Sequence, residues 1–227
     1  MDKQKVNIAI DGPSGAGKST IARLLARELG FIYVDTGAMY RAIGLYAQRL
    51  GYTPADAAAV AGVLSDIRVD IGYQDGAQHI YLNGEDVSAE IRTEAVSKYA
   101  SAVSAVPEVR AFLLELQRTL AASNSVIMDG RDIGTVILPK AEVKIFLTAD
   151  DTARARRRYN ELREKGQDVV FEDVLENLRQ RDKKDSERAL APLRPADDAV
   201  LVDTTDLDLA QSVEAIKAVI RRKVADV

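Results

Sequence analysis

The chain contains no cysteine and a single histidine. Without a thiol there is no disulfide, no thiolate metal site and no sulfur nucleophile. That composition suits a reducing compartment. One histidine, His79, argues against a cluster of imidazole ligands and against catalysis built on imidazole. It stands beside Ile80-Tyr81-Leu82 and reads as a surface residue of a strand. No apolar run is long enough to span a bilayer, and Met1-Asp2-Lys3-Gln4-Lys5 carries no apolar signal region. The expectation is a soluble cytoplasmic protein. A formal charge of −4 argues against a general binder of nucleic acid or anionic membrane. What remains is 227 residues, 47% of them hydrophobic, enough for one sizeable core.

The most informative stretch is Gly12-Pro13-Ser14-Gly15-Ala16-Gly17-Lys18-Ser19-Thr20. It has the G-x-x-x-x-G-K-S spacing of a phosphate-binding P-loop. The pattern is short, so its flanks decide. Val6–Asp11 is apolar and β-branched, as a buried strand should be. Thr20–Leu29 carries Ile21, Leu24, Leu25 and Leu29 at helical spacing. Strand, glycine loop and helix together turn backbone N–H groups and a helix N-terminus toward an anion. Lys18 then brings a full charge to the outer phosphates, and the Ser19 hydroxyl suits Mg²⁺. An ordinary glycine-rich turn would need neither the lysine nor the hydroxyl.

Strand-like runs recur at Val6–Asp11, Phe31–Asp35, Ser125–Asp129, Val143–Thr148 and Ala199–Asp203, with helical patterns between most of them. Alternation of this kind predicts an α/β fold, a three-layer α/β/α arrangement around a five-stranded parallel sheet. Ligands bind such sheets at the C-terminal strand ends. Asp11, Asp35 and Asp129 all end runs at that edge, which suggests a polar, magnesium-containing cleft.

Two stretches depart from this rhythm. From about 67 to 87 the chain reads as short strands with hairpin dipeptides at Asp75-Gly76 and Asn83-Gly84, an antiparallel insertion. Helices are predicted after it at Thr93–Ser104 and Pro107–Ala122. The second stretch, 150–194, is dense in charge of both signs, and Gly166 divides it into two helices. Arg154, Arg157 and Arg158 fall on one helical face, as do Arg181, Asp185 and Arg188. It reads either as a solvated, ion-paired hairpin or as a lid whose arginines close over phosphates. A closing amphipathic helix is expected over Leu207–Val224.

Two further motifs lie just past predicted strands. In Asp35-Thr36-Gly37-Ala38-Met39-Tyr40-Arg41 the Thr36 hydroxyl is placed to cap a helix, with Arg41 just over one turn in. In Asp129-Gly130-Arg131-Asp132 a strand-terminal aspartate suits Mg²⁺ or its waters, and Arg131-Asp132 follows over the cleft.

With Ile133-Gly134-Thr135, Gly84-Glu85-Asp86-Val87-Ser88, Glu90-Ile91-Arg92, Arg181-Asp182 and Arg188-Ala189-Leu190-Ala191-Pro192-Leu193, these motifs resemble bacterial cytidylate kinase along essentially the whole chain. The resemblance implies phosphoryl transfer from ATP to CMP or dCMP. It implies a core of about 1–60, 107–149 and 195–227, a monophosphate-binding insertion of about 61–106 and a lid of about 150–194. By the same resemblance Arg41, Arg110 and Arg131 surround the CMP phosphate. Thr36, Ser101 and Asp132 recognise cytosine or hold its neighbours. Arg181, Asp185 and Arg188 reach the ribose and phosphates. Relatives often have serine where this chain has Thr36; the hydroxyl is kept.

Lys18, Arg131, Arg188, Asp132, Arg154 and Arg158 are the expected catalytic residues. Gly12 to Thr20 hold ATP, Ser19 holds Mg²⁺ through ATP, and Asp129 acts on the metal through water. A monophosphate oxygen is already ionised near neutral pH, so no general base is required. A small-molecule kinase for AMP, UMP, shikimate or a pantothenate-like acceptor is the nearest alternative. A GTPase switch would need an Asn-Lys-x-Asp guanine motif, which the chain lacks. Nucleic-acid binding by 150–190 is opposed by the interspersed acids. Nucleotides as the only partners and a monomer are expected.

Overall fold

The computed structural model describes residues 5–74 and 77–224. The expected hairpin dipeptide Asp75-Gly76 lies outside the described residues, as do Met1 to Gln4. In chain order the elements are β1 (Asn7–Asp11), α1 (Lys18–Leu29), β2 (Ile32–Asp35), α2 (Thr36–Arg49), β3 (Val69–Gln74), β4 (Ala77–Leu82) and β5 (Glu85–Asp86). They continue as α3 (Glu94–Val103), α4 (Pro107–Ser123), β6 (Val126–Gly130), β7 (Val143–Thr148), α5 (Asp151–Glu164), α6 (Phe171–Glu187), β8 (Val200–Asp203) and α7 (Leu209–Lys223). Packing divides the chain into two compact units, Met1–Tyr33 with Asn124–Val227, and Val34–Ser123.

The first unit is built on the five-stranded parallel sheet, in the order β2-β6-β1-β7-β8. The division between units falls within β2. β1 is central, flanked by β6 and β7, so its C-terminal end is a crevice where successive crossovers diverge. Ile8 and Ile10 of β1, Val143, Ile145 and Leu147 of β7, Ile21, Leu25 and Ala26 of α1, and Ile216 and Ile220 of α7 form one buried cluster. The alternation along β1 and the helical spacing along α1 and α7 produce that shared face. Each fully buried isoleucine or leucine contributes about 1.5–3 kcal/mol of transfer free energy.

The same unit carries α5 and α6, joined through Gly166 in the left-handed region (φ 75°), where glycine avoids a Cβ clash. This helix pair has a small core of its own: Ala155, Leu162, Val174 and Leu178, with Tyr159 and Phe171 meeting edge to face at 6.0 Å. The Arg156 guanidinium lies 4.2 Å from the Phe171 ring centroid.

The second unit holds the antiparallel sheet β3-β4-β5. The turn between β4 and β5 is Asn83-Gly84 with φ of 50° and 87°, the double left-handed geometry of a type I′ hairpin. α2 and α3 approach closely: a Cβ on Gly44 would stand 2.9 Å from the Ala100 nitrogen. Thr36 is not the cap of α2. Asp35 is, because its extended backbone lets the longer carboxylate reach back to the Ala38 N–H at 2.9 Å. His79 sits on β4 and pairs with Asp86 at 2.8 Å.

Candidate active site

The P-loop leaves the C-terminal end of β1 through Gly12, and a Cβ there would stand 2.0 Å from the Leu147 carbonyl oxygen. Only glycine lets the chain pass so close to β7. Gly15 and Gly17 are left-handed, with φ of 74° and 88°. Gly17 caps α1, which starts at Lys18, earlier than the sequence suggested, and no side chain bonds the cap. The first turn also carries no acidic residue. Its N–H groups and partial positive charge are therefore left for an external anion.

Lys18 is 5% exposed and donates to the Pro13 carbonyl at 2.6 Å, bracing the loop from inside. Burial and the nearby Arg131 push its pKa well below the ordinary lysine value, against the opposing pull of Asp129 and Asp11. The Ser19 hydroxyl donates to Asp129 at 2.8 Å. Asp11 has a different task. Its two oxygens accept the N–H groups of Ile133 and Gly134 at 2.7 and 2.8 Å, anchoring the turn that follows Arg131-Asp132. Burial pushes its carboxyl up to about 6 even though both N–H groups favour the anion.

Arg131 donates from Nε to Asp185 at 2.8 Å, so the predicted α6 face meets the 129–132 turn. Burial opposes the ionisation of Asp185, but Arg131, Arg181 and Arg188 outweigh it and hold the pKa below the usual value. Arg188 donates to the Ala191 carbonyl at 2.5 Å. Arg131 and Arg181 also act on Lys18, so the first unit gathers these predicted cations beside the loop. Asp132 is buried, 4% exposed.

Arg154 and Arg158, expected to act together, occupy different surroundings. Arg154 is 6% exposed and bonds Ser14, Ala149 and Asp182. Arg158 pairs with Glu161 at 2.9 Å and lines a cavity of about 430 Å³ with Gly15, Gly17, Arg157, Leu207 and Asp208. Sequence reasoning put Arg157 on the right face but gave it no role. Its guanidinium is fixed on the Thr204 hydroxyl, the Thr204 carbonyl and the Leu207 carbonyl. Asp182 stands in the Arg181-Asp182 pair, and in the sequence its neighbour's charge is its one signal.

In the second unit Asp35, 5% exposed, is flanked by Arg92 at 3.0 Å and Arg41 at 3.9 Å. Burial would raise its pKa; the two arginines reverse that and lower it. Gln78 accepts the Asp35 N–H at 2.8 Å. Arg92, within Glu90-Ile91-Arg92, has no role assigned from the sequence, yet its Nη1 donates to Asp35. Arg110, 8% exposed, donates to the Ser104 carbonyl at 3.1 Å and stands 5.7 Å from the Tyr40 ring centroid. Ser101 lies one turn before Ser104 on α3, and its carbonyl accepts the Ser104 hydroxyl. Thr36 is buried at the start of α2. Thus Arg41 and Thr36 share one helix, while Ser101 and Arg110 lie on α3 and α4.

A family model described as cytidylate kinase matches residues 8–222. A cytidylate kinase of Caldicellulosiruptor bescii is 49% identical over 213 residues, covering 94% of each chain. One from Geobacter sulfurreducens is 47% identical over 216 residues, covering 95% of this chain and 93% of its own. Another, from Lactobacillus johnsonii, is 45% identical over 227 residues, covering 98% of this chain and 99% of its own. The uncapped helix behind a glycine loop, the buried lysine and the near end-to-end match place this chain in the cytidylate kinase family.

Proposed function

We propose that the protein transfers the γ-phosphoryl group of ATP to CMP, and to dCMP, giving CDP or dCDP and ADP. The observation that carries this reading is the uncapped start of α1 beside the buried Lys18, in a chain matched along its length by the cytidylate kinases. The loop residues Gly12 to Thr20 and Lys18 hold the triphosphate. A phosphate there offsets the burial that depresses the lysine's charge. The cavity at Arg157 and Leu207 takes the donor's base, with the immobilised guanidinium as a flat wall.

Mg²⁺ fits this site as a companion of the nucleotide. The Ser19 hydroxyl and Asp129 provide adjacent oxygens, while no group of three histidines or acids among the described residues forms a cation site alone. When bound, the ion neutralises charge on the outer phosphates. Ser19 would ligate it, and Asp129 would act through water.

On the acceptor side, Arg41, Arg110, Arg131 and Arg188 hold the monophosphate. Thr36, Ser101 and Asp132 address the cytosine or its neighbours, and Arg181 with Asp185 reaches the ribose. Arg154 and Arg158 neutralise the transferring group, whose transition state is loose and highly anionic. The acceptor oxygen is ionised already, so positioning and charge supply the catalysis without a base. Residues 61–106 act as the monophosphate-binding region and 150–194 as the lid of a monomer. Among the described residues no helix is long and apolar enough to cross a membrane, and we place the enzyme in the cytoplasm, in pyrimidine nucleotide metabolism.

Incubation with ATP, Mg²⁺ and CMP tests the reading. CDP and ADP should form one for one, and Lys18→Ala should stop both. Folded wild-type protein that makes no CDP contradicts it.

A further inference from the structure

Three groups close a hydrogen-bonded ring on the P-loop. The Ser14 N–H donates to one carboxylate oxygen of Asp182 at 3.3 Å. The other oxygen accepts from Arg154 Nη1 at 2.5 Å. The same Nη1 donates to the Ser14 carbonyl at 2.9 Å. Both backbone polar groups of one loop residue are thus held by side chains from α5 and α6. Arg154 Nε is fixed in turn on the Ala149 carbonyl at 2.9 Å. Backbone packing agrees: a Cβ on Gly15 would stand 3.2 Å from both the Cβ and the carbonyl oxygen of Arg154.

We infer that Asp182 is a positioning residue for phosphoryl transfer, holding the Arg154 guanidinium against Ser14 and so setting both lid helices on the phosphate loop. This rests on the phosphoryl-transfer reading above and on the place given there to Arg154. A long arginine side chain loses rotamer freedom when fixed, and a charged partner offsets that loss. A carboxylate is unsuited to touching an anionic transferring group itself. Asp182 therefore acts through Arg154, which carries the positive charge. The pair of helices does not depend on this contact for its fold, because Ala155, Leu162, Val174 and Leu178 supply an apolar core between them. Asp185, one turn further along α6, is engaged by Arg131 and belongs to a separate contact.

A double-mutant cycle tests this on the full chain with ATP and Mg²⁺. Asp182→Asn keeps the shape and removes the charge. It should lower kcat by about tenfold or more while the acceptor KM stays within about twofold. Asp182→Glu should recover part of the loss. In an Arg154→Ala background, Asp182→Asn should change kcat by less than about threefold, because the group it positions is gone. Unfolding midpoints are measured for each variant. Near-wild-type kcat in Asp182→Asn overturns the assignment. So does an undiminished loss in the Arg154→Ala background, or a loss that follows the fraction unfolded. The cycle is run on whichever monophosphate the wild type turns over. Failure of CMP as substrate therefore shows in the wild type alone and is distinct from failure of the ring.

Discussion

Arg131 and Asp185 meet at 2.8 Å, joining the turn after β6 to the last turns of α6 within one unit. Their side chains are 18% and 9% exposed, so the pair is screened only weakly. Asp185 is also the carboxylate on which Arg181 and Arg188 act. Asp185→Asn leaves three like charges with less compensation. It should destabilise the ligand-free protein by about 1–3 kcal/mol, less than a fully buried pair would. Anions should then restore more stability to the variant than to the wild type. Urea unfolding with and without ATP measures both; an equal nucleotide effect on the two proteins contradicts the assignment.

The Ser19 hydroxyl and Asp129 form the candidate metal-side contact. Asp129→Asn keeps the hydrogen bond and removes the charge, so it should raise the Mg²⁺ concentration for half-maximal rate by about tenfold. Chelation of Mg²⁺ should abolish turnover in both proteins. Rate against free Mg²⁺ at fixed ATP checks this, and an unchanged midpoint removes Asp129 from the metal's surroundings.

Gly12 and Gly30 are both in positive-φ backbone, yet their surroundings differ. A Cβ on Gly12 meets backbone at 2.0 Å, whereas one on Gly30 meets nothing within 4 Å. Gly30→Ala should cost about 1 kcal/mol, the left-handed penalty alone. Gly12→Ala should cost about 4 kcal/mol or more, because the Leu147 carbonyl cannot yield without distorting β7. Chemical denaturation of both variants gives the comparison.

Much of this was legible in the sequence, for reasons that differ by element. The P-loop, the parallel strands and the Asn83-Gly84 turn are local: glycine positions, apolar runs and hairpin dipeptides dictate them. Spacing alone puts Arg181 and Asp185 on one face of α6, but the expected helical place of Arg188 fails: the helix ends at Glu187 and Arg188 turns out of it with ψ 129°. Partners across the chain were not legible. Asp11 looked like a ligand-edge acid and instead holds the N–H groups of Ile133 and Gly134, more than a hundred residues away. Thr36 looked like the cap because threonine often caps, yet Asp35 has the extended backbone and the reach. Asp182, Arg157 and Arg92 carry no short motif that announces their contacts with Ser14, Thr204 and Asp35.

Asp11 also has a signature in pH. Its folded pKa, about 6, lies above the ordinary value of 3.8. The native state therefore holds that proton more tightly than the unfolded chain does. The stabilisation is complete below about pH 4 and is lost as pH rises through about 6, a change on the order of 2–3 kcal/mol. Asp35 and Asp185, with lowered values, work the other way at lower pH. Asp11→Asn lacks this titration, so the wild-type-minus-variant stability difference should fall between about pH 4 and 6. Denaturation midpoints across that range measure it, and parallel curves for the two proteins contradict the burial of an ionisable Asp11.

Phosphorylation of cytidine monophosphate at this P-loop is read out by kcat/KM for CMP, UMP and AMP, each with ATP and Mg²⁺. A site that hydrogen-bonds one base edge should favour CMP over AMP by about a hundredfold or more, with Asp132→Ala narrowing the gap. AMP or UMP matching or exceeding CMP would contradict it.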